Sequence, residues 1–339
     1  MLPFKVVYHP EYDLGVPDHI FPWHKYRLMR DALLREGIAA REDFLEPKPA
    51  SVADLKRVHS AAWINALRRG TLRFSEITRL ELPFSQRTVR ACRLAAGGTT
   101  LAARMALLDG VGFHAGGGFH HAFRDHGEGF CAVHDAAVAV RRLQREERVS
   151  RVMIVDCDVH QGNGTASLFA SDKNVFTLSI HQFNNYPAVK PPSDIDIHLG
   201  DQTGDEEYLD RLRRAYLPAL SEFQPELLFY VAGADPYCED QLGGLALTME
   251  GLKTRDHLVL GAALERGVPV TVTLAGGYAA DVDDTVLIHT NTLRAAMQEL
   301  ERVQRKPRLA APAAECAQAA SRNGGALKKV PLLSRCEER

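Results

Sequence analysis

In Asp156-Cys157-Asp158-Val159-His160, acidic and imidazole side chains alternate with Cys157 and Val159. Residues i and i+2 of an extended chain face the same side. Asp158 and His160 can therefore share one metal ion, with Asp156 on that side one step further back. Asp235, in Ala234-Asp235-Pro236, can complete a His-plus-two-carboxylate set. Three protein ligands leave a position open for water, the arrangement of a catalytic rather than a structural zinc site; Fe²⁺ or another divalent ion also suits these donors. The residues alone leave a second reading open, with Asp156 and Asp158 capping the next helix and Asp235 serving a turn. Gly116-Gly117-Gly118-Phe119-His120-His121 supplies three glycines that let backbone approach a ligand closely. Its two histidines could hold a water near the metal, or sit on a flexible loop. No Lys-Ser/Thr follows a Gly-rich stretch, which excludes a Walker A phosphate loop.

Such residues need a scaffold that brings distant segments together. Arg151–Val155, Val175–Ile180, Leu227–Val231 and Val268–Leu274 are short, apolar, β-branched runs, the pattern of strands buried on both faces. Helical patterns over about 135–147, 206–221 and 249–265 lie between them. Strand, helix, strand in repetition predicts an α/β fold: a parallel sheet with right-handed crossovers and helices on both sides. Each run ends in polar residues, and open parallel sheets bind ligands outside the carboxyl ends of their strands. Asp156, Asp158, His160, His181, Asp235 and Tyr278 are thus expected at one crevice. Seven of the 14 histidines fall between His114 and His181, a clustering that solvated histidines would not show.

The 339 residues carry 41 Lys+Arg against 43 Asp+Glu, a formal net charge of −2, with 45% hydrophobic and 25% charged residues. A near-neutral chain is a poor general binder of nucleic acid. No apolar run approaches the roughly 20 residues of a membrane helix, and Met1–Pro10 lacks the apolar region of a signal peptide. Cys92, Cys131, Cys157, Cys238, Cys316 and Cys336 form no CxxC and read as reduced thiols of a cytoplasmic protein. Cys131 and Cys157 read as small buried fillers rather than nucleophiles, and Trp23 and Trp63 as packing residues of N-terminal helices. From Lys306 the chain turns Ala-rich without apolar periodicity. The expected organisation is one domain over 1–305 and a mobile or irregular tail over 306–339.

Six segments in order resemble the zinc-dependent histone deacetylase family of the arginase/deacetylase fold. They are Gly116–Ala122, Glu128-Gly129-Phe130-Cys131, Asp156–Gly164, Ser179-Ile180-His181, Ala234-Asp235 and Ala275-Gly276-Gly277-Tyr278. The resemblance covers roughly residues 3–300 and implies a three-layer α/β/α architecture with a mostly parallel sheet. It implies Asp158, His160 and Asp235 as Zn²⁺ ligands, His120 and His121 as the tandem pair beside the zinc-bound water, and Tyr278 as the hydrogen-bond donor to the substrate carbonyl. Gly129, Phe130, Tyr186 and Gly276 would line the acyl channel. Asp156, Asp158, His160, Ser179 and Ile180 resemble an inner K⁺ site, and Phe169, Asp172 and Val175 an outer one. His160-Gln161-Gly162-Asn163-Gly164 departs from the common His-His-Gly-Asp-Gly and is similar to the class IV branch. Asp156 would then serve His120, while His121 would face a neutral Asn163. A neutral partner does not raise imidazole basicity as a carboxylate does, which suits a general base.

The resemblance implies hydrolysis of acyl-lysine, with acetyl or longer chains, in a protein or peptide. Acetylpolyamines or other small acylated amines are the alternative. Substrate loops would be 10–24 and 183–196, where Asp13, Asp18, Asp194 and Asp196 could attract a cation or simply be exposed charge. A binuclear manganese ureohydrolase would need further carboxylates where Gly162, Gly233 and Tyr237 stand. A silent acyl-binding domain would lack a ligand, the histidine pair or the tyrosine, and all are present. No nucleic-acid or membrane partner is expected, and oligomeric state is not readable from the sequence.

Overall fold

Eight apolar segments of the computed structural model, which describes residues 2–16 and 19–305, form one sheet. They are β1 (Val6–Val7), β2 (Phe44–Leu45), β3 (Val111–His114), β4 (Val152–Asp156), β5 (Val175–Gln182), β6 (Ile195–Leu199), β7 (Leu227–Val231) and β8 (Val270–Thr273). Their order is β2-β1-β3-β8-β7-β4-β5-β6. The sheet was expected to be mostly parallel; every pairing between these strands is parallel. The expected tail, Asp18, Cys316 and Cys336 lie outside the described residues.

The four apolar runs become β4, β5, β7 and β8, and the three helical patterns become Asp135–Arg145, Asp205–Phe223 and Met249–Glu265. Helices cover both faces. Asp205–Phe223, Met249–Glu265, Val282–Arg305 and Lys25–Arg35 pack each against the next, while Gln86–Asp109 packs with Asp135–Arg145 and against β3 and β8. Every residue of β4, β7 and β8 is buried, which is why β4 and β7 run apolar without alternation; in β8 even the alternating Thr271 and Thr273 lie inside. Each large apolar side chain removed from water there contributes about 2 kcal/mol. No described helix is long and apolar enough to cross a membrane.

From β4 the chain runs outward through β5 to β6. It then returns to β7, on the other side of β4, and runs the opposite way to β8. The sheet order therefore reverses between β4 and β7, and such a switch point leaves a crevice at the strand ends. Register sets the depth of that crevice. Asp156 of β4 lies opposite Val231 of β7, and Val231 lies opposite Thr273 of β8, so three neighbouring strands release their chains at one level.

Two expectations need correction. The supposed loop 183–196 runs into β6 (Ile195–Leu199), and its two acids are engaged in hydrogen bonds within the chain. Asp194 Oδ2 accepts from Thr177 N–H and Oγ1–H, and Asp196 accepts from Gln161 Nε2 and Ser193 N–H. Asp13 likewise pairs with Arg27 and caps Gly15 N–H. His181 does not face the crevice. It is buried within β5, with Nδ1 on Ser179 Oγ and Nε2 on His198 Nδ1, and burial holds its imidazole down at about 3.

Candidate metal centre and active-site channel

Backbone bonds tie the segments beyond the strand ends together. Cys157 N–H donates to Val231 O (3.0 Å), Ala232 N–H to Thr273 O (2.8 Å) and Ala234 N–H to Gly276 O (3.0 Å). They bring Asp158, His160 and Asp235 to one point, with a donor atom from each within 4.8 Å of the others. His160 Nδ1 lies 3.0 Å from Asp158 Oδ1 and 3.3 Å from Asp235 Oδ2. The other carboxylate oxygens are held by backbone: Gly276 N–H donates to Asp158 Oδ2 and Val159 N–H to Asp235 Oδ1, both at 2.8 Å.

Asp235 Oδ2 is buried without a hydrogen bond of good geometry. Such an oxygen is costly unless a cation takes it. A Cβ on Gly276 would run into Asp235 Oδ2 and Asp158 Oδ2, so the glycine keeps this cradle open. Burial, reinforced by Asp158, raises the Asp235 carboxyl to about 7. Burial would lower His160, but both carboxylates outweigh it and hold the imidazole at about 10. Two carboxylates around one imidazole in a dry pocket fit a divalent cation, and no second cluster of this kind occurs among the described residues.

The histidine pair stands beside this cluster on the loop after β3. Asp135 is buried and accepts from Gly118 N–H (3.0 Å) and Phe119 N–H (2.8 Å), which fixes the glycine turn. Gly118 has φ +84°, and a Cβ there would collide with the backbone of Ala275. The two rings lie 4.0 Å apart, yet their partners differ in charge. His120 Nδ1 is 2.7 Å from Asp156 Oδ2, whereas His121 Nδ1 is 2.8 Å from Asn163 Oδ1. Burial lowers both imidazoles. For His120 the carboxylates of Asp156 and Asp158 win and raise it to about 9. For His121 the Asn163 bond and the Asp158 charge offset too little of it, and neighbouring His120 and His160 push the ring further down, well below the usual range.

A cavity of about 380 Å³ opens over these groups. Its buried part includes Gly118, His120, His121, Cys131, Asp158, His160, Gly276 and Tyr278; Gly129, Phe130 and Tyr186 form its walls. Ile20 and Glu81 are exposed at its mouth, and Asn185 is half-buried there. Tyr278 N–H donates to Asp240 Oδ2 (2.6 Å), and burial keeps the Tyr278 hydroxyl protonated far above neutral pH. Cys131 reaches the cavity, but burial holds its thiol well above the usual range, so it is no ready nucleophile. Cys157 is buried and raised to about 12.

Asp156 and Asn163 stand behind the cavity lining and act through the histidines they bond, while Asp235, also behind the lining, reaches the metal cluster with Oδ2. Ser179 and Ile180 lie buried in β5, beside β4. Phe169, Asp172 and Val175 belong to a separate turn in which Asp172 N–H donates to Phe169 O and Val175 N–H to Asp172 O. There the Asp172 carboxylate pairs with Arg141, whose guanidinium covers the Phe169 ring.

Further supporting residues escaped the sequence reading. Arg255 is fully buried behind the metal cluster; Nη1 donates to Gly233 O (2.7 Å) and Cys157 O (3.3 Å), clamping both ligand-bearing segments. Asp256 balances its charge and accepts from Tyr230 and Thr292 hydroxyls. Lys25 is also fully buried, donates to Ala275 O (2.8 Å) and lies 5.6 Å from the Tyr278 ring. Glu128 bonds both Asn163 and Tyr186. Arg255 and Lys25 sit on the helices Met249–Glu265 and Lys25–Arg35, where nothing in local pattern marks them. Glu128 lies inside the Glu128-Gly129-Phe130-Cys131 segment, beside the channel residues Gly129 and Phe130.

The histone deacetylase domain model matches residues 19–293. An uncharacterized protein of Picosynechococcus sp. is 41% identical over 294 residues, covering 86% of this chain and 98% of its own. Histone deacetylase 2 of Arabidopsis thaliana is 32% identical over 287 residues, covering 81% of this chain and 74% of its own. The crystal structure of the HDA15 HD domain superposes with a TM-score of 0.71 over 88% of this chain and 94% of that one, at 23% identity, and supports the fold. The chain belongs to the histone deacetylase family and is a hydrolase acting on amides.

Proposed function

We propose that the chain removes acyl groups from the ε-amine of acyl-lysine in a peptide or protein, with Zn²⁺ held by Asp158, His160 and Asp235. The observation that carries this reading is the channel itself. An apolar-walled cavity leads from an exposed mouth to the histidine pair, Tyr278 and an acidic cluster with an unpartnered carboxylate oxygen. Zinc, when bound, supplies a Lewis acid that acidifies water and polarises the acyl carbonyl.

The protein groups do the proton work. His121 commits its Nδ1–H to Asn163 and keeps Nε2 as an acceptor, so Nε2 takes the proton of the attacking water and returns it to the leaving amine. His120, charged on Asp156, places positive charge beside the reacting centre. Tyr278 donates its hydroxyl to the carbonyl oxygen as negative charge builds there. Phe130 and Tyr186 exclude water from the alkyl stem of the substrate.

The test is a set of initial rates on one lysine peptide carrying acetyl, octanoyl or myristoyl groups, with free acetylpolyamine alongside. Acyl-lysine hydrolysis that a chelator abolishes and zinc restores is the expected result, and the fastest acyl group gives the chain length. Turnover of the free amine alone would move the substrate to small acylated amines. No hydrolysis by zinc-loaded protein would overturn the reading in favour of a silent acyl-binding domain.

A further inference from the structure

Asn163 has an oxygen and a nitrogen at nearly the same distance from its backbone, and only one of them suits His121. With Oδ1 facing the ring, His121 must carry its proton on Nδ1, leaving Nε2 free to accept. With the amide turned over, the NH₂ would face Nδ1, the ring proton would move to Nε2, and the ring could no longer take a proton. What fixes the amide therefore fixes the base.

Two groups do so. Gly164 N–H donates to Asn163 Oδ1 at 2.9 Å, and Asn163 Nδ2 donates to Glu128 Oε1 at 2.6 Å. The second bond is the charge-assisted one. A turned amide would set its oxygen against that carboxylate oxygen, two acceptors at short range. Glu128 Oε1 also accepts from Tyr186 OH at 2.9 Å, and the Tyr186 ring stands edge-on to His121, centroids 4.9 Å apart at 88°. The glutamate is itself anchored. Cys131 N–H donates to Glu128 O, and the two residues between, Gly129 and Phe130, have φ of 49° and 66°, the positive values of a type I′ turn.

We propose that Glu128 is a positioning residue: one carboxylate oxygen orients the Asn163 amide, and through it the His121 tautomer, while tying down the Tyr186 wall of the channel. In this chain the carboxylate that serves His121 stands one residue removed, with a neutral amide between. The proposal rests on His121 acting as the base, and its test separates the two.

The experiment uses zinc-loaded full-length protein labelled with ¹⁵N-histidine, the His121 signals assigned by loss in His121→Gln. Wild type is expected to show His121 as the Nδ1–H tautomer near neutral pH. Glu128→Ala should show a mixture with Nε2–H and lose about 10- to 100-fold in kcat. Glu128→Gln keeps an acceptor oxygen and should restore the Nδ1–H signal and most of kcat. Tyr186→Phe, which removes only the second bond, should raise KM and leave the tautomer unchanged. A Glu128→Ala protein with wild-type tautomer and kcat within twofold of wild type would overturn the proposal, as would Glu128→Gln losing the Nδ1–H signal as fully as Glu128→Ala. If His121→Ala hydrolyses acyl-lysine at the wild-type rate, the base assignment falls, and the tautomer signals still decide what Glu128 does.

Discussion

The floor of the channel and its mouth are built by opposite rules. At the floor, Asp158 and Asp235 are almost completely buried, each with one carboxylate oxygen on a backbone N–H, and Arg255 braces both segments from behind. At the mouth, Ile20 is 42% exposed and Tyr186 36%, and the neighbouring chain consists of loops. A rigid floor suits chemistry that must be held to fractions of an ångström, while loops can vary substrate choice without disturbing it. If this division is right, substitutions at the floor act on metal and kcat, and substitutions at the mouth act on KM.

The largest effect should come from the floor. Asp235→Asn removes the charge that a metal would neutralise, and both bound zinc and hydrolysis should fall to the detection limit, measured by metal analysis and initial rates. Tyr278→Phe keeps every ligand and should retain one zinc per chain while losing about 10²- to 10³-fold in kcat. A kcat near wild type would break the assignment of Tyr278. Arg255→Lys keeps a buried cation but loses the planar fork, in which Nε and Nη2 hold Asp256 while Nη1 donates to both carbonyls. Zinc affinity, measured by chelator competition, should fall about 10- to 100-fold, with folding retained. Ile20→Ala at the mouth should shift KM by roughly threefold and leave kcat alone. A kcat change at Ile20 equal to that at Arg255 would erase the distinction between floor and mouth.

Away from the channel, buried histidines make the fold acid-sensitive. His59 donates from Nδ1 to Phe123 O and accepts His134 N–H at Nε2, and burial holds its imidazole at about 4. Its unfolded value is about 6.5. Below pH 6.5 the unfolded chain binds a proton that the native ring refuses, so stability present above 6.5 is lost as pH falls toward 4. The slope is about 1.4 kcal/mol per pH unit for this one residue. His59→Gln should flatten the acid limb of unfolding free energy by that amount relative to wild type. Parallel pH curves for the two proteins would contradict the burial argument.

The floor was the legible part. Strand runs buried on both faces, ending in Asp156, Val231 and Thr273, announce a parallel sheet whose carboxyl ends meet, and the alternation in Asp158-Val159-His160 marks one side of an extended segment. The outer strands of the sheet were not legible. β1 and β2 have two residues each, β3 contains a glycine, and Ile195–Leu199 alternates because only one face is buried. His181 misled because a histidine at the end of an apolar run looks like a crevice residue, yet β5 extends one residue beyond it and pairs it with His198. Asp194 and Asp196 misled because a local pattern cannot show that a carboxylate is already taken by Thr177 or Gln161. Arg255, Lys25 and Glu128 were invisible for the same reason: the carbonyls and side chains they hold in place lie between 22 and 250 residues away.

The most direct test of the account is activity reconstitution. Protein stripped of metal is titrated with zinc, and acyl-lysine hydrolysis is followed against equivalents added. One metal held by Asp158, His160 and Asp235 predicts a linear rise that stops at one equivalent per chain and is absent in Asp235→Asn. Full activity in the stripped protein, or a rise that continues to two equivalents, would contradict it.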